Sequence, residues 1–575
     1  MSKEARAVNI PMLFRQTLTV ALLALGSAVA VSHALAIESL PEDHPKFQAI
    51  SYIYASVARA FGTGRNPPSL VVVPVNSKNR KHIAWTDSGT EGSVGVEDAA
   101  GQLQQGYIAI EEKVYDILAS LGAERDDGMA FLLGHELAHY YLRHGWVSDF
   151  GNLSFVSRDM GKKMQRVATY EETIKMETEA DYFGGFYGYL AGYNTLGVAP
   201  RLFELLYAAY RLPEKIPNYP SRADRVAIAE RSEENLRKMV PVYETGKRLL
   251  ILEHYEEAAR LFEHLSHTFP SREMFNNAGI AYALEALRLY PPGKLLFAYP
   301  FEYDAETRLR TKETRTRSVI DTSESRRTHL LQKAADSFES ALQRDREYVT
   351  AVANLAAVTS LIGDPDIAIS YASRAVTLAR RQNESQILAA ALVSRGIALA
   401  ESGDRDRAIM DFAAARNYGL ESGSYNFAVM QGEKTHLRSA GNELEGPHRE
   451  TIGGHTAIDS FAKSKDAVSF TLRGIEAGQT TISINIRRGE GWEEIKVAMG
   501  TRILKMIATG RGYEGTTARA IKVGSSASEV KGKYGTPTRL VPSRQGNSLV
   551  YQKAGVVFGV DRDERVVGWM VYTLL

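Results

Sequence analysis

The chain has 575 residues, with 69 Lys and Arg against 68 Asp and Glu for a net charge of +1, and it contains no cysteine. So even a charge balance gives no electrostatic footing for nucleic acid or for a strongly acidic partner, and the missing thiols exclude disulfides, thiolate metal ligands and lipid attachment through cysteine. With 44% hydrophobic residues, a chain of this length is expected to divide into several domains, each able to bury a core.

At the N-terminus, Lys3, Arg6 and Arg15 precede an apolar run from Leu18 to Val31, and Ala34-Leu35-Ala36 forms a small-x-small triplet. This pattern predicts a secretory signal peptide over residues 1–36, cleaved after Ala36. An uncleaved segment acting as an inner-membrane anchor is the alternative, although the run is short for a membrane span.

Further on, Asp126 and Asp127 lead into Met129, Leu132 and Leu133, an apolar stripe that predicts a buried helix. That helix carries His135, Glu136 and His139 as HExxH. Two imidazoles one turn apart share a helical face. They can therefore bind one Zn²⁺, with Glu136 beside them as general base toward water. Zinc needs a third protein ligand, and Glu177, 38 residues after His139, is the best candidate. Asp181 lies one turn later on the same face, suited to hold a ligand histidine in its tautomer through the ring N–H. Glu179 faces away on this spacing. His144 and Trp146, just past the helix, read as structural.

HELAHYYLRH followed by E-x-E-A-D resembles the gluzincin family that contains HtpX, the CAAX prenyl protease and the periplasmic BepA-type proteases, over roughly residues 45–230. The resemblance implies His135, His139 and Glu177 as zinc ligands, Glu136 as catalytic base and Asp181 as the residue supporting a ligand. It also implies that Gly106 to Ile110 is an edge strand on which an extended substrate pairs. Family members carry a His-Pro pair and a later Arg; here the chain reads Asn218-Tyr219-Pro220, then Arg225. A phenol can donate to a developing oxyanion as an imidazole can. Tyr219 is accordingly expected to stabilise the transition state, with Arg225 as a supporting cation; a Tyr-Pro turn with its ring in the core is the other reading.

After Arg225 a repeat of about 34 residues can be traced by spacing. Gly246, Ala258, Phe262 and Pro270 match a tetratricopeptide signature, and Gly396, Gly403, Ala408, Phe412 and Ala415 match it again. Gly363, Ala368 and Ala375 fit between. A fourth unit is split, with Gly279 and Tyr282 in its first helix and Ala334, Phe338 and Ala341 in its second. The insertion, about residues 291–327, contains Arg308, Arg310, Lys312, Arg315, Arg317, Arg326 and Arg327 and reads as a solvated loop. Residues 433–466, rich in Gly, Ser, His and charge, read as a linker. Beyond them, strands are expected at Val468 to Leu472, Thr480 to Ile486, Leu549 to Gln552, Gly555 to Val560 and Val566 to Tyr572, with a helix capped by Ser526 and Glu529.

The expected architecture is multi-domain. A mainly α metallopeptidase domain with a small β-sheet (37–235) precedes an α-solenoid of tetratricopeptide repeats (236–432), and a small α+β module (467–575) closes the chain. The expected function is a periplasmic zinc endopeptidase, one Zn²⁺ per chain, acting on unfolded or misassembled envelope proteins. The repeats would recruit substrates or the outer-membrane assembly machinery; no nucleic-acid partner is expected, and the sequence leaves the oligomeric state open. The alternative is a zinc-stabilised envelope assembly factor with little or no proteolytic activity, which the long Trp146 to Lys175 segment, readable as a lid over the site, would suit.

Overall fold

The computed structural model describes residues 38–61, 67–77, 83–87, 96–97, 103–104, 106–142, 170–215, 219–291, 293–303, 305–307, 320–433, 443–444, 450–457, 468–472, 482–510, 512–543, 546–561 and 563–575. The signal segment, His144 and Trp146, most of the expected lid and the Arg308 to Arg317 cluster lie outside them. Two compact units divide the chain, Met1–Arg237 and Lys238–Leu575.

In the first unit, helix α1 (Pro45–Phe61) buries Ile50, Ile53, Tyr54, Val57 and Phe61, the spacing of one helical face. Strands β1 (Ser69–Val73), β2 (Ala84–Asp87) and β5 (Tyr107–Glu111) form a sheet in the order β1-β5-β2, while β3 (Val96–Glu97) and β4 (Leu103–Gln104) pair separately. β1 runs parallel to β5 and β2 antiparallel to it. The strand expected at the edge is thus the central one. Its five residues are all buried, as they must be with a partner on each side and apolar cover on both faces. The edge position beside the helix that carries HExxH belongs to β2.

Helices α2 (Glu112–Leu118), α3 (Arg125–Leu142), α4 (Tyr170–Leu190) and α5 (Ala199–Tyr210) follow, and α6 (Arg222–Ile251) begins in this unit and ends in the second. The expected apolar stripe on α3 is a wholly buried cylinder, with every residue from Asp127 to Tyr140 out of solvent. α1, α4 and β2 cover it from different sides. α3 and α4 approach until their backbones touch at Gly134 and Gly184. A Cβ on Gly184 would lie 2.5 Å from the His135 nitrogen, and one on Gly134 would lie 2.6 Å from the Gly184 oxygen.

The second unit contains α7 (Tyr255–Thr268), α8 (Arg272–Arg288), the two-stranded β6 (Phe301–Tyr303) and β7 (Ala305–Thr307), and α9 (Ile320–Arg344). It continues with α10 (Val349–Ile362), α11 (Pro365–Arg381), α12 (Ser385–Glu401), α13 (Arg405–Asn417) and α14 (Glu421–Met430). From α7 to α14 each helix packs on the next. One contact recurs: a Cβ on Gly246 would lie 2.9 Å from the Phe262 ring, on Gly279 2.7 Å from Phe338, and on Gly396 2.7 Å from Phe412. The aromatic of each second helix therefore fills the space left by the glycine of the first. Gly279 and Phe338 make this contact across the insertion, so the split repeat closes like the others. At the same register in the α10 and α11 pair both positions are alanine, Ala356 and Ala372, and both are fully buried. That pair has two methyl groups where the others have a ring against a glycine, so it lacks the aromatic contact.

The C-terminal module is larger than expected. Its antiparallel sheet comprises β8 (Val468–Leu472), β9 (Ile482–Gly489), β10 (Trp492–Met499), β11 (Arg502–Thr509), β12 (Arg539–Ser543), β13 (Gly546–Tyr551), β14 (Val556–Asp561) and β15 (Val566–Leu574). The strand order is β12-β13-β14-β15-β11-β10-β9-β8. Helix α15 (Ala527–Tyr534) has the Ser526–Glu529 capping box and sets Tyr534 against Tyr551 and Phe558. Described parts of the expected linker belong to this core. Ile452 is fully buried, and Glu450 accepts hydrogen bonds from the Tyr534 hydroxyl at 2.6 Å and from the Ala518 amide at 2.9 Å. A buried carboxylate with two donors anchors the segment instead of letting it swing. Arg539 pairs with Glu253 at 2.9 Å and Arg502 with Glu257 at 2.7 Å, seating the module on the first repeat. Among the described residues no helix is long and apolar enough to cross a membrane.

Candidate metal and catalytic site

The close crossing of α3 and α4 places Glu177 and Asp181, both fully buried, against the two histidines of α3. His135 Nε2 and His139 Nε2 face each other at 3.0 Å. Glu177 Oε2 lies 3.5 Å from the first and Oε1 3.7 Å from the second. One ligand atom from each of these three residues falls within a 4.8 Å cluster. Glu177 Oε1 is buried without a hydrogen-bond partner among the described residues. The two imidazole nitrogens can share one hydrogen between them, but the orphaned carboxylate oxygen beside them is costly as it stands. A cation at their centre satisfies all three, and an N, N, O donor set suits zinc.

Asp181 Oδ1 lies 2.9 Å from His135 Nδ1. Burial alone would raise the Asp181 pKa, but the Arg225 charge and its hydrogen bonds to His135 and Arg225 hold it below the ordinary carboxylate value. An ionised Asp181 can only accept, so this network assigns the His135 proton to Nδ1 and leaves Nε2 with its lone pair turned toward the cluster. Without metal, burial pushes His135 toward the neutral form, yet the Asp181 hydrogen bond and the Glu177 and Asp181 charges prevail and raise its pKa.

Arg225 is fully buried and grips Asp181 with both terminal nitrogens, at 2.6 and 2.7 Å. Its guanidinium carbon sits 3.5 Å from the centre of the Phe203 ring, a cation–π contact in a dry setting. Arg225 Nε donates to the Tyr219 oxygen at 3.1 Å, and the Tyr219 hydroxyl donates to Glu177 Oε2 at 2.9 Å. Both residues therefore join the site, through the carboxylates. Tyr219, expected as a donor to the reacting oxygen, has its hydroxyl on the candidate third ligand. Burial and the Glu177 charge keep that phenol firmly protonated.

One residue with no signal in the sequence completes the arrangement. Thr86, on β2, places its hydroxyl 2.8 Å from Glu136 Oε2 and 2.9 Å from the Glu136 carbonyl oxygen. It fixes the carboxylate next to the first histidine. Phe203 was equally hidden, since a phenylalanine on a helix reads as core.

These groups form a buried cluster that could hold one metal ion, with two histidines from one helix, a carboxylate from the next, and Glu136 beside them. Comparison with known proteins finds a match over part of the chain. Residues 98–232 match Peptidase family M48. The chain is also similar to the crystal structure of a thermophilic TPR protein of Thermus thermophilus, at 16% identity and a TM-score of 0.24, over 40% of this chain and 96% of that one. No curated protein matches the sequence.

Proposed function

We propose that this protein is a zinc-dependent endopeptidase of the cell envelope that hydrolyses peptide bonds of unfolded or misassembled proteins in the periplasm. The observation that carries the chemistry is the convergence of His135, His139 and Glu177 on one point with Glu136 beside it. The compartment rests on the signal-like first 36 residues, and the substrate class on repeats able to receive other chains. Zinc bound by these three residues would supply Lewis acidity toward water and toward the scissile carbonyl. Glu136, steadied by Thr86, takes the proton from the attacking water and returns it to the departing amine. Asp181 holds the His135 tautomer, and Arg225 neutralises Asp181. Tyr219 orients Glu177.

Glu136→Gln tests the reading, because it preserves the side chain's size and removes its basicity. The expected result is about one zinc per chain with hydrolysis of an unfolded casein substrate reduced at least ~100-fold, the lower end of general-base contributions. Undiminished cleavage by that variant refutes the peptidase reading. Unchanged rescue of envelope assembly by the same variant in a deletion strain points instead to an assembly factor.

A further inference from the structure

The insertion that splits the second repeat does not simply loop into solvent. Its first arm, residues 293–301, has no regular secondary structure before Phe301 and lies against the repeats, and β6 at its end packs on α8, α10 and α12, the first helices of three successive pairs. Asn426 of α14 is fully buried and turns both polar atoms of its side chain to the backbone of one residue of this arm. The Ala298 amide donates to Asn426 Oδ1 at 2.8 Å, and Asn426 Nδ2 donates to the Ala298 carbonyl at 3.0 Å. A carboxamide matched to an N–H and C=O pair reads extended backbone and ignores side-chain identity.

The neighbours of Ala298 supply the selectivity. Phe297 packs on the core of the last repeats, its ring 5.8 Å from that of Phe412. The Tyr299 hydroxyl donates to Glu401 at 2.8 Å, and Glu401 in turn accepts from Ser360. Phe301 is fully enclosed. The arm nonetheless fits loosely. Leu296 is 61% exposed, and a cavity of about 510 Å³ remains between the arm and Ala400, Arg405 and Met430. On the helices crossed by β6, Asn277 and Ser394 occupy equivalent register positions and are fully buried; both Asn277 amide atoms and the Ser394 hydroxyl have no hydrogen-bond partner among the described residues. Such groups are costly unless a ligand uses them.

We propose that this groove is a receptor for an extended peptide bearing an aromatic–small–aromatic triplet. Phe297-Ala298-Tyr299 is its resident occupant, which an incoming peptide of that pattern displaces. This deepens the recruiting role given to the repeats above. Its test reads binding alone, so a failure here leaves the hydrolytic reading standing.

A tethered segment acts at about millimolar effective concentration, so for an intrinsic Kd of about 10 µM it weakens an external competitor roughly a hundredfold. The probe is a fluorescein-labelled synthetic peptide with the sequence of residues 293–301, titrated into the full chain. Phe297→Ser combined with Tyr299→Ser empties the groove and is expected to tighten binding about a hundredfold over the unvaried chain. Adding Asn426→Ala to that variant removes two hydrogen bonds and is expected to weaken binding about tenfold or more. Equal binding by the unvaried and strap-altered chains overturns the proposal, and so does indifference to Asn426→Ala. Should the strap-altered chain lose its helical signal, hydrogen exchange on the unvaried chain decides. Millimolar peptide must accelerate exchange of the Ala298 amide, and an unchanged rate refutes displacement.

Discussion

Replacing Gly184 by alanine is expected to disperse the candidate metal ligands without altering any of their side chains. The added Cβ would lie 2.5 Å from the His135 nitrogen and 2.6 Å from the Gly134 carbonyl carbon, where ordinary contact begins at 3.4 Å. The helices must therefore separate by the difference, 3.4 − 2.5 = 0.9 Å. Backbone faces backbone at this crossing, so no side chain can turn aside. Glu177 lies seven residues away on the same helix, about 10 Å along its axis, and a rigid helix carries most of the shift to it. Metal–ligand distances tolerate only about 0.2 Å. Zinc affinity should fall by at least ~100-fold, the upper end of what disturbing a supporting residue does, and overpacking should cost about 1–3 kcal/mol of stability. Competition against a chromophoric chelator measures the first, and the thermal transition of the apoprotein the second. Gly185→Ala is the control, since its Cβ would press on the movable tip of Leu236, at 2.6 Å, and otherwise make ordinary contact with the Phe131 ring at 3.5 Å. A Gly184→Ala protein with unaltered zinc affinity would show that the crossing does not set the site.

Tyr219→Phe distinguishes two roles for the phenol. If the hydroxyl orients Glu177, as its 2.9 Å hydrogen bond indicates, zinc affinity drops about tenfold and turnover at saturating zinc stays near normal; a large loss of turnover with zinc affinity intact would return the hydroxyl to the reacting oxygen. Arg225→Met removes the bidentate partner of fully buried Asp181 and leaves it only the His135 hydrogen bond, and should destabilise the apoprotein by about 3–5 kcal/mol, read from its urea midpoint. A loss below about 1 kcal/mol, as for exposed ion pairs, would mean that water reaches the pair. In the second unit, burial holds His254 below its ordinary value of 6.5, with Arg502 and Arg288 adding to the effect and Glu257 opposing it. Burial and the neighbouring His267 do the same to His264. The unfolded chain thus accepts protons near pH 6.5 that the folded one refuses. Stability is full above about 6.5 and declines as pH falls toward the folded values. Urea midpoints of the full chain measured between pH 7.5 and 5 should show the decline, His254→Gln should shallow it, and a midpoint that rises on acidification would reverse the assignment.

What the sequence showed of the site was its residue types and local spacing. His135 and His139 share a face because they are four apart, and Glu177 and Asp181 repeat that relation on a second helix. Nothing in either periodicity says that the helices touch at a glycine pair, because Gly134 and Gly184 read as ordinary small residues until their backbones are placed in contact. Thr86 was silent for the same reason: it sits 50 residues from Glu136 on a short strand, and its contact exists only once β2 occupies the sheet edge. The strand at Gly106 to Ile110 was legible as a strand, but edge or centre depends on partners that its own residues do not name. In the last domain, β10 and β11 lay outside the expected strands although Lys496 between Ile495 and Val497, and Lys505 between Leu504 and Met506, keep the apolar–polar alternation of a half-buried strand. The sheet forms there because Ile495, Val497, Leu504 and Met506 bury one face.

The repeats show the converse, where one pattern held information that another obscured. Gly279 and Phe338 are separated by an insertion, yet they meet as Gly396 and Phe412 do. Helix pairing is decided by complementary volume and not by the length of the connection, since loop closure costs only about 0.6 kcal/mol per doubling of length. A long connection is therefore cheap enough to be used for something else. Its charged middle made the whole insertion read as solvated, but its first arm, Leu295-Leu296-Phe297-Ala298-Tyr299-Pro300-Phe301, is apolar without helical period. An apolar segment that can neither form a helix of its own nor stay in water must lie against something. The groove of the array that it interrupts is within its reach. Position in the chain, more than composition, thus turned an insertion into an occupant.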